Sequence, residues 1–114
     1  MKIYCDSSTK KACIVAEGPV PIVIHYAEPV TNNVGEYQAV ILALEWAKRL
    51  KRMHVELLTD SQLVVNQVSG LWKCRMKHLL PLRDKVRGLL GCSCPTELKW
   101  IPREENLAGR ILDG

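Results

Sequence analysis

Short apolar runs at residues 2–6, 12–16 and 22–26 predict three strands; in the third, Ile22, Ile24 and Tyr26 fall on one face and Val23 and His25 on the other. Gly18, Pro19 and Pro21 separate the second run from the third, which is the punctuation of an antiparallel hairpin. The apolar period then lengthens. Tyr37, Val40, Ile41, Leu44 and Ala47, with the neighbouring Trp46, make a broad stripe that predicts a helix over residues 33–50, capped by Asn32 or Asn33. Residues 54–59 return to a strand pattern, and residues 61–68 read as a short helix with Asp60 and Ser61 as N-cap candidates. Residues 76–90 carry Leu79, Leu82, Val86, Leu89 and Leu90 at helical spacing, with Pro81 in the first turn and Gly91 as the stop. A last strand over residues 97–101, a break at Pro102 and a closing helix over residues 103–112 complete the chain. A strand joined through a helix to another strand runs parallel to it by a right-handed crossover. The order therefore predicts an α/β fold, one sheet covered by helices.

At 114 residues the chain is expected to form a single domain over residues 1–114. Apolar residues make up 47% and no apolar run reaches the roughly 18 residues of a membrane span, so a globular rather than a membrane protein is expected. Met1-Lys2 leads into a short strand carrying Asp6, not into a signal peptide, and the expected compartment is the cytoplasm. Five cysteines, an odd number without an export signal, argue against a disulfide framework. Cys92-Ser93-Cys94 has the wrong spacing for a zinc knuckle and reads as a turn.

The net charge of +4 permits an anionic partner, and its distribution is more informative than its size. Lys48, Arg49, Lys51 and Arg52 close the first helix, where the helix dipole alone accounts for them. Lys73, Arg75 and Lys77 alternate with Trp72, Cys74 and Met76 just after Gly70, a mixture of basic and aromatic groups that suits a nucleic acid better.

The candidate chemistry lies in three acids. Asp6, Glu36 and Asp60 each sit where a strand or helix meets a turn, in Tyr4-Cys5-Asp6-Ser7-Ser8, in Thr31-Asn32-Asn33-Val34-Gly35-Glu36-Tyr37 and in Leu57-Leu58-Thr59-Asp60-Ser61-Gln62. Strand interiors disfavour Asp, and a carboxylate among apolar neighbours is driven toward protonation unless a cation or strong donor meets it. If the three converge, the expected partner is a hard cation.

With Trp100-Ile101-Pro102-Arg103-Glu104-Glu105-Asn106 before the last helix, these segments resemble, in order and spacing, a type 1 ribonuclease H, of the subgroup without the basic handle. The resemblance spans nearly the whole chain. It implies a ribonuclease H-like mixed five-stranded sheet with helices on both faces. It also implies endonucleolytic cleavage of the RNA strand of RNA–DNA hybrids by Mg2+ or Mn2+, two ions roughly 4 Å apart on clustered carboxylates. Asp6, Glu36 and Asp60 match the family's metal ligands. Taken singly, Asp60 reads equally well as an N-cap and Glu36 as an acid favoured by the helix dipole.

The chain departs from the family at the fourth ligand, where an Asp is usual and Arg110 stands. Asn106, brought into place by a shift of one helical turn, is the expected substitute, with Glu105 and Asp113 as alternatives. The family's mobile histidine has no counterpart, and His25, His54 and His78 read as ordinary residues. For the hybrid, the resemblance implies Asn32, Asn33 and Gln62 in the groove and Thr31 at a DNA phosphate, with Ser7, Trp72, Lys73 and Arg75 completing the nucleic-acid surface. The first loop is short, so Lys10 or Lys11 is expected at one phosphate. No obligate protein partner is inferred. Two other readings stay open: another nuclease of the same fold, and a non-catalytic hybrid-binding module.

Overall fold

A computed structural model of the chain describes residues 1–16, 21–50, 54–91 and 96–113. The expected turn at Cys92 to Cys94, the basic pair Lys51 and Arg52, and the hairpin punctuation at Gly18 and Pro19 lie outside the described residues. Five strands, β1 (Lys2–Ser7), β2 (Lys11–Val15), β3 (Ile22–His25), β4 (Val55–Thr59) and β5 (Thr96–Trp100), form one mixed sheet in the order β3-β2-β1-β4-β5. The first three pair antiparallel as a meander, and β1, β4 and β5 run parallel.

Four helices accompany the sheet: α1 (Asn32–Leu50), α2 (Gln62–Ser69), α3 (Leu80–Leu90) and α4 (Leu107–Asp113). Ile3 and Cys5 of β1 join Tyr37, Val40, Ala43, Leu44 and Ala47 of α1 in the buried core. Small residues on that stripe let α1 lie close against the sheet. Alternation along β1 sends Lys2, Tyr4 and Asp6 to the opposite face, where α4 packs. The expected continuous helix over residues 76–90 is instead a 3-10 turn, Lys77–Leu79, followed by α3 with Pro81 in its first turn, since proline's ring fits there and not further in. The closing helix likewise divides into a 3-10 turn, Arg103–Glu105, and α4. That division leaves Asn106 at the start of α4.

Cys5, Cys13 and Cys74 are free and buried. Among the described residues no helix is long and apolar enough to cross a membrane.

Candidate active site

Adjacent parallel strands bring two of the three acids together. The register that sets Tyr4 beside Leu58 carries Asp6 and Asp60, two residues further along each chain, to the same end of the sheet. Asp6 is 6% exposed.

Glu36 arrives from α1, whose first turn is fixed by Thr31 rather than by either asparagine. The Thr31 hydroxyl accepts the N–H of Val34 (3.3 Å), and its carbonyl accepts that of Gly35 (2.8 Å). Gly35 is buried against the end of β1, where a Cβ would lie 2.6 Å from Ser7 Oγ and 3.0 Å from the Ser8 carbonyl oxygen. Any side chain there would displace the Ser7 hydroxyl and crowd the Ser8 carbonyl, disturbing the junction that seats the start of α1. Tyr26 secures the same junction, its hydroxyl 2.7 Å from Ser7 Oγ and donating to the Gly35 carbonyl at 3.3 Å. Ser7, expected at the nucleic acid, is thus a half-buried tie between β1, the residue after β3 and α1. Ser61 Oγ donates to Glu36 Oε2 at 2.7 Å while accepting the Val64 N–H at 3.2 Å, so one N-cap hydroxyl of α2 also aims the carboxylate.

Asn106, the residue expected at the fourth position, lies between the second 3-10 turn and α4. Asn106 is fully buried at the start of α4; its Oδ1 accepts the Ala108 N–H (3.1 Å), and its Nδ2 donates to the Cys5 carbonyl (3.0 Å) and to Asp60 Oδ2 (3.1 Å). Turning the amide over would aim its oxygen at two acceptors, so the neighbours fix the orientation. Asn106 therefore orients Asp60 and caps α4, with its oxygen turned to the Ala108 N–H. The 3-10 turn is the reason: it leaves Asn106 before the helix, and Gly109 is the residue of α4 that faces Asp6. A Cβ on Gly109 would stand 3.1 Å from Asp6 Oδ2. Arg110 is exposed and donates to the Glu104 carbonyl at 2.9 Å.

Arg103, which no spacing in the sequence marks out, enters the cluster itself. Its Nη1 donates to Asp6 Oδ2 and to Asp60 Oδ2, each at 3.2 Å, and its Nη2 donates to both oxygens of Asp113 at 3.0 Å. Of the alternatives to Asn106, Asp113 reaches the cluster through this guanidinium, and Glu105 is exposed on the 3-10 turn.

Burial, and then the charge of Asp60, raises the Asp6 carboxyl above its ordinary 3.8; the nearby Arg103 lowers it but does not reverse the sign. Burial likewise raises Glu36 above 4.5, against the Ser61 hydrogen bond. A raised carboxyl favours the protonated folded state, so its contribution to stability is full below the ordinary value and is lost as pH rises through the raised one. In chelator, Asp6→Asn is accordingly expected to unfold at a higher temperature than the parent at pH 7, with the two converging toward pH 4. Calorimetry over that range checks this; a gap that widens on acidification would contradict it.

Other residues expected at the nucleic acid come from separate segments of the chain. Asn32 and Asn33 are the first two residues of α1, Asn32 exposed, and Gln62 is exposed at the start of α2. Trp72, Lys73 and Arg75 are exposed on the connection after α2, with the buried Cys74 between the two basic residues. Lys10 is exposed on a tight turn closed by the Ser8 N–H and the Lys11 carbonyl.

His54, Glu56 and Glu97, the group among the described residues whose ligand atoms all lie within 4.8 Å of one another, is elsewhere on the sheet. Lys99 Nζ already bridges Glu56 and Glu97, at 3.2 Å each, so these acids have their cation. The carboxylates of Asp6, Glu36 and Asp60 are spaced more widely than that. Their donor set nevertheless fits a divalent metal: three carboxylates, two of them already closed around a positive nitrogen.

Comparison with known proteins bears on the family and the fold. A family model described as reverse transcriptase-like matches residues 12–112. A ribonuclease HI of Halobacterium salinarum is 37% identical over 105 residues, covering 88% of this chain and 50% of that protein. A bifunctional protein of Mycobacterium tuberculosis is 38% identical over 76 residues, 67% of this chain and 21% of that one. The chain thus spans half the length of the first relative and about a fifth of the second. Among solved structures, RNase H1 of Halobacterium salinarum superposes with a TM-score of 0.80 at 28% identity, covering 97% of this chain and 92% of that one. LC11-RNase H1, in complex with an RNA/DNA hybrid, gives 0.80 at 28% identity, covering 97% and 91%. With the model matched over nearly its whole length and the sheet shared, the chain belongs to the reverse transcriptase-like family of ribonuclease H folds.

Proposed function

We propose that this chain is a single-domain, metal-dependent endonuclease that cleaves the RNA strand of RNA–DNA hybrids. The observation that carries the reading is the meeting of Asp6 and Asp60 around one cation, with Glu36 delivered beside them by the close seating of Gly35. Two divalent ions, magnesium or manganese, would supply activation of the attacking water and stabilisation of the leaving 3′ oxygen. Asp6, Glu36 and Asp60 would hold them through hard oxygen ligands; Asn106 orients Asp60, and Ser61 orients Glu36.

On the hybrid, Asn32, Asn33 and Gln62 offer amides that donate and accept, suited to 2′-hydroxyls and base edges. The Thr31 hydroxyl accepts from Val34, which leaves its own hydrogen for a phosphate. Trp72 supplies a stacking surface, and Lys73 and Arg75 supply charge. Neutralising Lys73, Arg75 and Lys77 together should flatten the slope of log affinity against log salt by about one for each phosphate these side chains neutralise. An unchanged slope in a fluorescence titration would place the nucleic acid on another face.

The deciding experiment is cleavage of matched RNA–DNA, RNA–RNA and DNA–DNA duplexes in magnesium or manganese. Cleavage confined to the hybrid is expected, whereas preference for either homoduplex would assign another nuclease activity. Arg110 at the fourth ligand's place and Arg103 among the carboxylates favour one second reading, a hybrid-binding module, and binding without cleavage would select it.

A further inference from the structure

We infer that Arg103 is the resident counter-cation of the carboxylate site and that a divalent metal must displace it to bind. The inference rests on reading Asp6, Glu36 and Asp60 as metal ligands. Nη1 bridges Asp6 Oδ2 and Asp60 Oδ2, oxygens of two acids whose side chains are only 5% and 10% exposed. A magnesium ion ligates such oxygens at about 2.0–2.1 Å. The ion and the guanidinium nitrogen would occupy the same gap, so they exclude each other by both volume and charge.

The surroundings suit an exchange. The Arg103 side chain is 54% exposed, and its other nitrogen is anchored outside the pocket by both oxygens of Asp113. Nη1 can swing toward solvent while Nη2 keeps that anchor. Gly109 makes the seat: a Cβ there would lie 3.1 Å from Asp6 Oδ2 and 3.6 Å from Nη1. A guanidinium does not lose its proton in a protein, so Arg103 keeps its charge at every ordinary pH. Arg103 thus shields two crowded carboxylates in the metal-free protein and weakens the site for metal by the strength of its own hold on them.

Binding of Mn2+, measured by calorimetry and by the loss of the free-ion electron paramagnetic resonance signal at fixed ionic strength, tests this without any need for turnover. Arg103→Gln is expected to bind manganese at least about tenfold more tightly than the parent, a difference of about 1.4 kcal/mol. In chelator it should unfold at a lower temperature than the parent, and gain more on adding metal. Arg110→Gln removes the same charge from an exposed neighbour and should stay within about twofold of the parent. Arg103→Met, which keeps the aliphatic stem, replaces the Gln variant if that fails to fold. If the parent binds manganese and the Arg103 variants bind no more tightly, or if Arg110→Gln gains as much, Arg103 is no specific competitor. If neither parent nor variant binds at millimolar metal, the ligand assignment falls as well.

Discussion

Asp6→Asn, Glu36→Gln and Asp60→Asn are each expected to slow hybrid cleavage by a factor on the order of 10³ or more, while leaving the metal-free protein folded. The first half follows from the chemistry of the site. Metal assistance contributes several kcal/mol of transition-state stabilisation, and each 1.36 kcal/mol is tenfold in rate. An amide keeps the shape of the carboxylate but removes the charge that holds the ion. The second half follows from burial: desolvation and mutual repulsion raise Asp6 and Glu36 already, so a neutral side chain relieves the folded state instead of straining it. Single-turnover rates with circular dichroism on the same samples separate the two effects. A variant that cleaves at the parent's rate removes that residue from the mechanism, and a variant that is inactive because it is unfolded does not support the assignment.

Asn106 carries the second large effect, and it falls on stability. The side chain is fully buried, caps α4 through Ala108, and joins that helix to β1 and to Asp60. Asn106→Ala removes an N-cap, worth typically about 1 kcal/mol, and strands the Cys5 carbonyl, for a total of about 3 kcal/mol. A loss of that size lowers the unfolding midpoint by roughly 10–15 °C. Asn106→Asp should cost about as much at neutral pH, because it can keep the cap but turns a charged acceptor toward the Cys5 carbonyl and Asp60. Thermal unfolding in chelator measures both. If Asn106→Asp leaves stability unchanged and lowers the metal concentration for half-maximal activity, the residue is an oxygen ligand after all.

How much of the molecule is legible in its sequence differs between fold and site. The strands and the long helix are legible because burial imposes periods of 2 and 3.6, and residues such as Ile22, Ile24, Val40 and Leu44 keep them. Asp6 and Asp60 are legible because a carboxylate beside an apolar run is costly without a partner. The partner itself is not. Arg103 lies 97 residues from Asp6 and 43 from Asp60, separations that no local pattern spans. Asn106 reads as the inside of one continuous helix because Arg103, Glu104 and Glu105 are good helix formers, and a 3-10 turn leaves no mark in their spacing. One overlooked feature does carry a signal: Gly35, in the first turn of an otherwise well-formed helix, costs helix stability unless a close approach requires it.

The central claim, a carboxylate site that cleaves RNA paired to DNA with a divalent metal, is tested most directly with a hybrid labelled separately on each strand. The chain is incubated with it in chelator, then with magnesium or manganese restored. No cleavage in chelator, and cleavage of the RNA strand alone once metal returns, is the expected result; cleavage that persists in chelator, or that falls on the DNA strand, would contradict it.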